Sequence, residues 1–161
     1  MLQKLVLTCV LFGSTVPTYD HQVARINKNE VLASHISTEY KVRHQKIYKV
    51  LKKIDSIVEQ GFPRKSDILA IIAIESRFKS GAISSKGAKG LMQVLYKDTN
   101  NDYDNLVAGI KLLKEYRESL GSDKAAVHAY NVGIGNYRKG MRSNNYYSKY
   151  LVAKTQFKQI A

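Results

Sequence analysis

Cysteine is nearly absent: Cys9 is the only one in 161 residues. No intramolecular disulfide can form, and no cysteine-based metal site exists. Proline occurs twice, at Pro17 and Pro63, both outside the strongly helical patterns. Acids are scarce, 13 against 26 Lys and Arg, for a formal net charge of +13. That excess implies an anionic partner, whether nucleic acid, anionic lipid or an acidic polymer, with a merely soluble basic surface as the plain alternative. The shortage is also local. From Lys124 onward there are seven Lys or Arg residues and no acid, and between Glu75 and Asp98 there is no Asp or Glu. Internal repeats and low-complexity segments are missing. His21, His35, His44 and His128 lack metal-ligand spacing. Neither a metal nor a cofactor is implied.

Long apolar runs are few, and the two present have different meanings. Lys4 is followed by the apolar run Leu5 to Phe12 and then by Gly13, Ser14 and Thr15. This is the order of a secretory signal, too short to span a bilayer as a helix. A buried N-terminal segment is the alternative. We assign residues 1–18 to the signal, 19–43 to a polar linker and helical extension, and 44–161 to the main domain. Without the signal the chain loses Lys4 and no acid, so its charge stays strongly positive.

The second run, Ile68 to Ile74, is apolar on all sides, which marks a helix inside a core. Glu75 follows it directly. A carboxylate leaving a buried helix is desolvated on one side, and a helix C-terminus disfavours its charge by roughly 0.3–1 kcal/mol. Both effects favour the neutral acid, as a general acid near neutral pH requires. Arg77, Lys79, Lys86 and Lys89 would oppose them if they fold close. A helix-end carboxylate paired with Arg77 or Lys79 is the ordinary alternative.

Around this helix the pattern is helical. Asn29 can cap a helix carrying Val31, Leu32, His35, Ile36 and Tyr40. Ile47, Val50, Leu51, Ile54, Ile57 and Val58 share one face of the next. Ser66 and Asp67 can cap the central helix. Asp104 or Asn105 can cap another, with Leu106, Val107, Ile110, Leu113, Tyr116 and Leu120 inward and Gly121 at its end. Ser122 caps the helix that contains Ala129 and Tyr130, and Gly133 and Gly135 mark the turn after it. Ser84, Ser85, Gly87 and Gly90 predict a loop or short hairpin that allows close backbone approach.

Three blocks in order then carry a resemblance: I-E-S-R-F at Ile74 to Phe78 with G-A-K-G-L-M-Q-V at Gly87 to Val94, Asn105 with Ala108-Gly109, and A-Y-N-V-G-I-G at Ala129 to Gly135. Together they resemble the lytic transglycosylases of the soluble, goose-lysozyme-like type, over roughly Ser66 to Val152. The resemblance implies a single all-α, lysozyme-like domain with a small β-hairpin at a substrate cleft. It implies Glu75 as the catalytic acid and base, with Ser84, Gln93, Tyr130, Asn131 and Tyr150 as binding positions. Its substrate is peptidoglycan, cleaved between N-acetylmuramic acid and N-acetylglucosamine to leave an anhydromuramic end. No cofactor, no nucleic acid and a monomer are expected. A secretion, conjugation, pilus or phage assembly is the kind of partner such a small exported enzyme serves.

The chain departs from the family pattern in two places. Leu95 and Tyr96 stand where the family has methionine and proline, and a glutamate four residues before the C-terminal tyrosine is replaced by Tyr146. Tyr146 and Tyr147 read as core aromatics. A hydrolytic muramidase would need a second carboxylate, from Asp98, Asp102 or Asp104. These sit in a polar connection that reads as a solvated loop. A basic helical nucleic-acid-binding protein is the alternative from another class, and the export signal argues against it. The export reading predicts a mature protein starting at Val16 or within a few residues. N-terminal sequencing of exported material checks this; Met1 intact on an unexported protein would revive the nucleic-acid alternative.

Overall fold

The computed structural model describes residues 18–95 and 101–160, with side chains from residue 28 onward. The signal reading and the Tyr96 departure therefore lie outside the described residues. Among the described residues seven helices follow in order: α1 Thr18–Tyr40, α2 His44–Ile57, α3 Lys65–Glu75, α4 Asp102–Leu120, α5 Asp123–Val132, α6 Ile134–Arg138 and α7 Asn144–Ile160. The helical domain expected from the sequence is the architecture observed. The expected hairpin is reduced to two isolated bridges, Ile83 with Lys89 and Lys89 with Val94. Among the described residues no helix is long and apolar enough to cross a membrane.

The fold is built around α3. Ile68, Leu69, Ala70, Ile71 and Ile72 are fully buried, and their neighbours come from all sides. Each large aliphatic side chain so buried contributes about 1.5–3 kcal/mol. Helix α7 packs along α3 most extensively, α1 pairs with α2, and α4 with α5. Helix α2 buries Ile47, Val50, Leu51 and Ile54 on one face, as its periodicity predicts.

Helix α1 begins well before Asn29 and runs through the stretch 19–28 whose polarity suggested a linker. Leu32, Ala33 and Ile36 lie in the same core as α3, whereas Val31 is exposed. Asn29 is not a cap. It is buried inside α1, where its amide donates to Asp55 at 2.8 Å and accepts from Lys65 at 2.6 Å. Lys65 also reaches Asp55 at 2.6 Å, so one polar triad joins α1, α2 and α3. Tertiary partners override the local preference of Asn for a helix start.

The cap of α4 is Asn101, whose side chain accepts from the backbone N–H of Tyr103 and Asp104. Asn105 is freed for another task and is buried. Val107 is partly exposed rather than inward, while Leu106, Ile110 and Leu113 are buried. Gly121 ends α4 in the left-handed region and Ser122 caps α5, both as expected. At α3 the arrangement differs: Arg64 is the N-cap, and Asp67 accepts from its backbone N–H at 2.8 Å.

Gly109 in α4 has no room for a side chain. A Cβ there would lie 2.6 Å from Sδ and 2.8 Å from Cβ of Met92. Alanine in a helix interior gains up to about 1 kcal/mol over glycine. Overpacking costs about 1–3 kcal/mol and wins here. Gly109→Ala should therefore lower Tm, by about 2–4 °C for each net kcal/mol. Gly135→Ala, at a helical glycine with nothing within 4 Å, should hold or raise it. Thermal unfolding of both variants checks the pair; an unchanged or raised Tm for Gly109→Ala would contradict the packing argument.

Candidate active site

Helix α3 delivers Glu75 as its last residue. Two left-handed residues follow, Arg77 at φ 52° and Phe78 at φ 61°, a conformation that costs energy for side chains of this size. Burial of Phe78 offsets the cost. Its ring is fully buried, with Tyr40 at 4.9 Å and Phe157 at 6.1 Å between centroids. The sharp turn thus stops the helix at the carboxylate. Arg77 lies over the Tyr40 ring at 5.6 Å. Among the described residues no cation forms an ion pair with Glu75, so the ordinary helix-end pairing is not what is found.

Glu75 is largely buried, and its Oε1 accepts a hydrogen bond from the Tyr146 hydroxyl at 2.7 Å. Burial pushes its carboxyl above the usual range, and the Tyr146 hydrogen bond partly opposes that by favouring the charged form. Tyr146 is itself pushed well above the usual phenol range by burial and by the neighbouring Glu75. It therefore remains a donor. Sequence reasoning took Tyr146 for a core aromatic. The signal was its position one helical turn before Tyr150, where the resembling family carries a glutamate.

Tyr130 stands nearby on α5. Burial, followed by the charge of Glu75, raises its hydroxyl well above the usual range. That hydroxyl donates to the Met92 carbonyl at 2.7 Å rather than to the acid, and the phenol that reaches the carboxylate is Tyr146.

The loop 76–95 is held from below by Asn105. Its Oδ1 accepts from the Met92 N–H and its Nδ2 donates to the Lys89 carbonyl, both at 2.8 Å. Gly90, at φ 77°, lies against this amide; a Cβ there would sit 2.5 Å from Nδ2. Gln93 closes the loop from within: its Nε2 donates to the carbonyls of Ala82 and Gly90 at 2.9 Å each. Ser84 forms the tip turn, where its Oγ accepts from the Ala88 N–H at 3.0 Å. Asn131 is exposed at the end of α5.

Tyr150 lies elsewhere. It is buried, and its hydroxyl donates to Asp67 at 2.5 Å. Asp67 is eight residues before Glu75, about 12 Å along the helix axis. The structure thus brings together Glu75, Tyr146, Tyr130 and the Met92–Gln93 turn of the loop, and sets Tyr150 beneath them in the core.

The other acids in reach of the loop have structural partners. Asp102 accepts from the Ser80 hydroxyl at 2.6 Å, and Asp104 accepts from the Asn101 amide at 2.7 Å. Both stand in the first turn of α4, where the helix dipole favours a negative charge. Asp102 also lines a cavity of about 340 Å³ with Ser80, Lys89, Asn101 and Asn105. Asp98 lies outside the described residues. Among the described residues no group of three or more His, Cys, Asp or Glu could hold a metal ion.

No solved structure matches the chain. A family model described as the transglycosylase SLT domain matches residues 63–103. The matched stretch contains α3 with Glu75, the loop with Ser84 and Gln93, and the start of α4. Over this stretch the match bears out the resemblance read from the residues and supports a lytic-transglycosylase-type, glycan-cleaving function on peptidoglycan in general; the blocks from Asn105 onward lie beyond it.

Proposed function

We propose that the chain cleaves the β-1,4 bond between N-acetylmuramic acid and N-acetylglucosamine without water, leaving an anhydromuramic end. The observation that carries this reading is a single carboxylate, Glu75, desolvated at a helix end and held by a neutral phenol. Glu75 protonates the glycosidic oxygen as the bond to the anomeric carbon breaks. The primary hydroxyl of the same muramic acid attacks that carbon and returns its proton to Glu75. The attack is intramolecular, so it begins with a high effective molarity and asks only for a held pose. Ser84, Gln93, Tyr130 and Asn131 are the residues we assign to holding it. The excess of Lys and Arg suits the carboxylates of the stem peptides. Export, and service to local opening of the wall for a larger assembly, belong to the same proposal.

Glu75→Gln should lower muropeptide release by about 10²–10⁴-fold, the usual share of a general acid. The variant should also be no less stable. A carboxyl raised in the folded state contributes stability that is present below about 4.5, its ordinary value, and is lost as pH rises through the folded value. The Tm difference in favour of Gln should therefore grow with pH across that window. Muropeptide release and thermal unfolding between pH 4 and 8 test both halves. Near-normal release from the folded variant would sink the assignment of Glu75.

The product decides the mechanism. Mass spectrometry of the digest should find anhydromuramic ends, lighter by one water than the hydrolytic product. Reducing ends would mean that Asp98, Asp102 or Asp104 activates water. The chain would then be a muramidase on the same fold.

A further inference from the structure

Helix α3 carries one carboxylate near each end, and α7 reaches both. Tyr146 donates to Glu75 at 2.7 Å, and Tyr150, one turn later, donates to Asp67 at 2.5 Å. The two tyrosines are about 6 Å apart along α7, and their acceptors about 12 Å apart along α3. The side chains therefore diverge toward opposite ends of the antiparallel partner. A slip of α7 along α3 in either direction would stretch one bond and crowd the other, so the pair together defines the register.

The two ends are not equivalent. Asp67 is almost fully buried, at 1 % exposure, and every partner it has is strong. Its Oδ1 accepts from Tyr150 and pairs with Lys154 at 2.7 Å, while its Oδ2 accepts from the Arg64 N–H. Lys154 also donates to the Tyr150 hydroxyl at 3.3 Å. Tyr150 stacks on Tyr147 at 5.7 Å, and Tyr147 on His128 of α5 at 4.8 Å. At the other end, Glu75 is faced by Tyr146 from α7 and feels Tyr130 from α5, while Arg77 beside it is directed to Tyr40. The charged pair sits at the far end, and among the described residues it is a neutral hydroxyl that reaches the acid.

We infer that Asp67, Tyr150 and Lys154 form a register lock that positions Tyr146 on Glu75, and so act on the reaction through the acid without touching substrate. The inference rests on the reading of Glu75 as the acid. The lock fixes α7 along α3; the fixed α7 sets the hydrogen bond at Oε1; that bond sets how readily Glu75 gives up its proton. Tyr150 is then a positioning residue rather than a substrate contact.

The test follows the Glu75 carboxyl by carbon-13 NMR titration in the full chain, which needs no glycan substrate. Tyr146→Phe should raise the Glu75 midpoint, because it removes the bond that favours the charged form. Tyr150→Phe, which alters no charge, and Lys154→Met should raise it too. Neither should raise it further in a Tyr146→Phe background, and Lys154→Arg should restore it. On sacculi, kcat of the lock variants should fall roughly tenfold to a hundredfold with KM little changed, within the loss expected of a misplacement of about 1 Å. A lowered Tm with the Glu75 midpoint unmoved would make the cluster merely structural and overturn the inference. A Lys154→Met shift that persists in the Tyr146→Phe background would assign the effect to long-range charge, and would overturn it equally. Absent wall digestion with the expected midpoints would count against the reading of the reaction and leave the lock standing.

Discussion

The structure depends on burying a helix that has no polar side. Helix α3 offers no face to water between Ile68 and Ile72, so its surroundings must come from α1, α2, α4, α5, α7 and the loop after it, whose residues share its core. Only its ends can carry charge, and both do. A buried charge is costly unless it is paired or hydrogen-bonded. Asp67 is satisfied by Lys154, Tyr150 and a backbone N–H. Among the described residues Glu75 receives the Tyr146 hydroxyl, which opposes but does not outweigh its burial, so its neutral form is favoured. One helix thus separates an ion pair that holds the fold from an acid kept ready to exchange a proton.

The loop beyond Glu75 obeys a second constraint, close approach. Met92 occupies the space that a side chain at Gly109 would take, and Asn105 the space of one at Gly90. Because α4 leaves one such gap at Gly109 and the loop another at Gly90, the loop lies directly on α4 without a sheet. Asn105 then fixes the Met92 peptide by its N–H, and Tyr130 of α5 takes the Met92 carbonyl. The Gly-Leu-Met-Gln stretch is held through both backbone polar groups of Met92. That is how the loop keeps its shape beside the acid with only two isolated bridges.

Much of this was legible in the residues, and what was legible was local. The face of α2, the burial of α3, the stop at Gly121 and the cap at Ser122 each follow from a pattern within a few positions. Glu75 was legible because its desolvation comes from the helix that carries it. Partners that meet from far along the chain were not. Tyr146 lies 71 residues from Glu75, and Tyr150 lies 83 from Asp67. Asn29 and Asn105 were taken for caps because Asn prefers caps. Their partners, 26 and 13 to 16 residues away, decided otherwise. Spacing showed that Tyr146 and Tyr150 share a helix face, but not which acid each would meet.

The exchange of a glutamate for Tyr146 has a chemical consequence. A glutamate at that distance from Glu75 would place two carboxyls in one desolvated site, and like charges would push one of them far up. Their protons would then be shared, and the proton-transfer properties would belong to the pair. Tyr146 removes that coupling. Its hydroxyl is raised well beyond the range in which it could ionise at neutral pH, and it lowers Glu75 instead of raising it. Tyr130 is raised likewise and bound to a backbone carbonyl. Of the described groups that meet at this point, Glu75 is the one carboxyl, raised by its burial, while both phenols are pushed well above the usual range and keep their protons. A reaction that borrows a proton from the enzyme and returns it to the same atom needs one such group. A water-consuming reaction with a carboxylate base needs a second, and among the described residues no other carboxylate is hydrogen-bonded into this group.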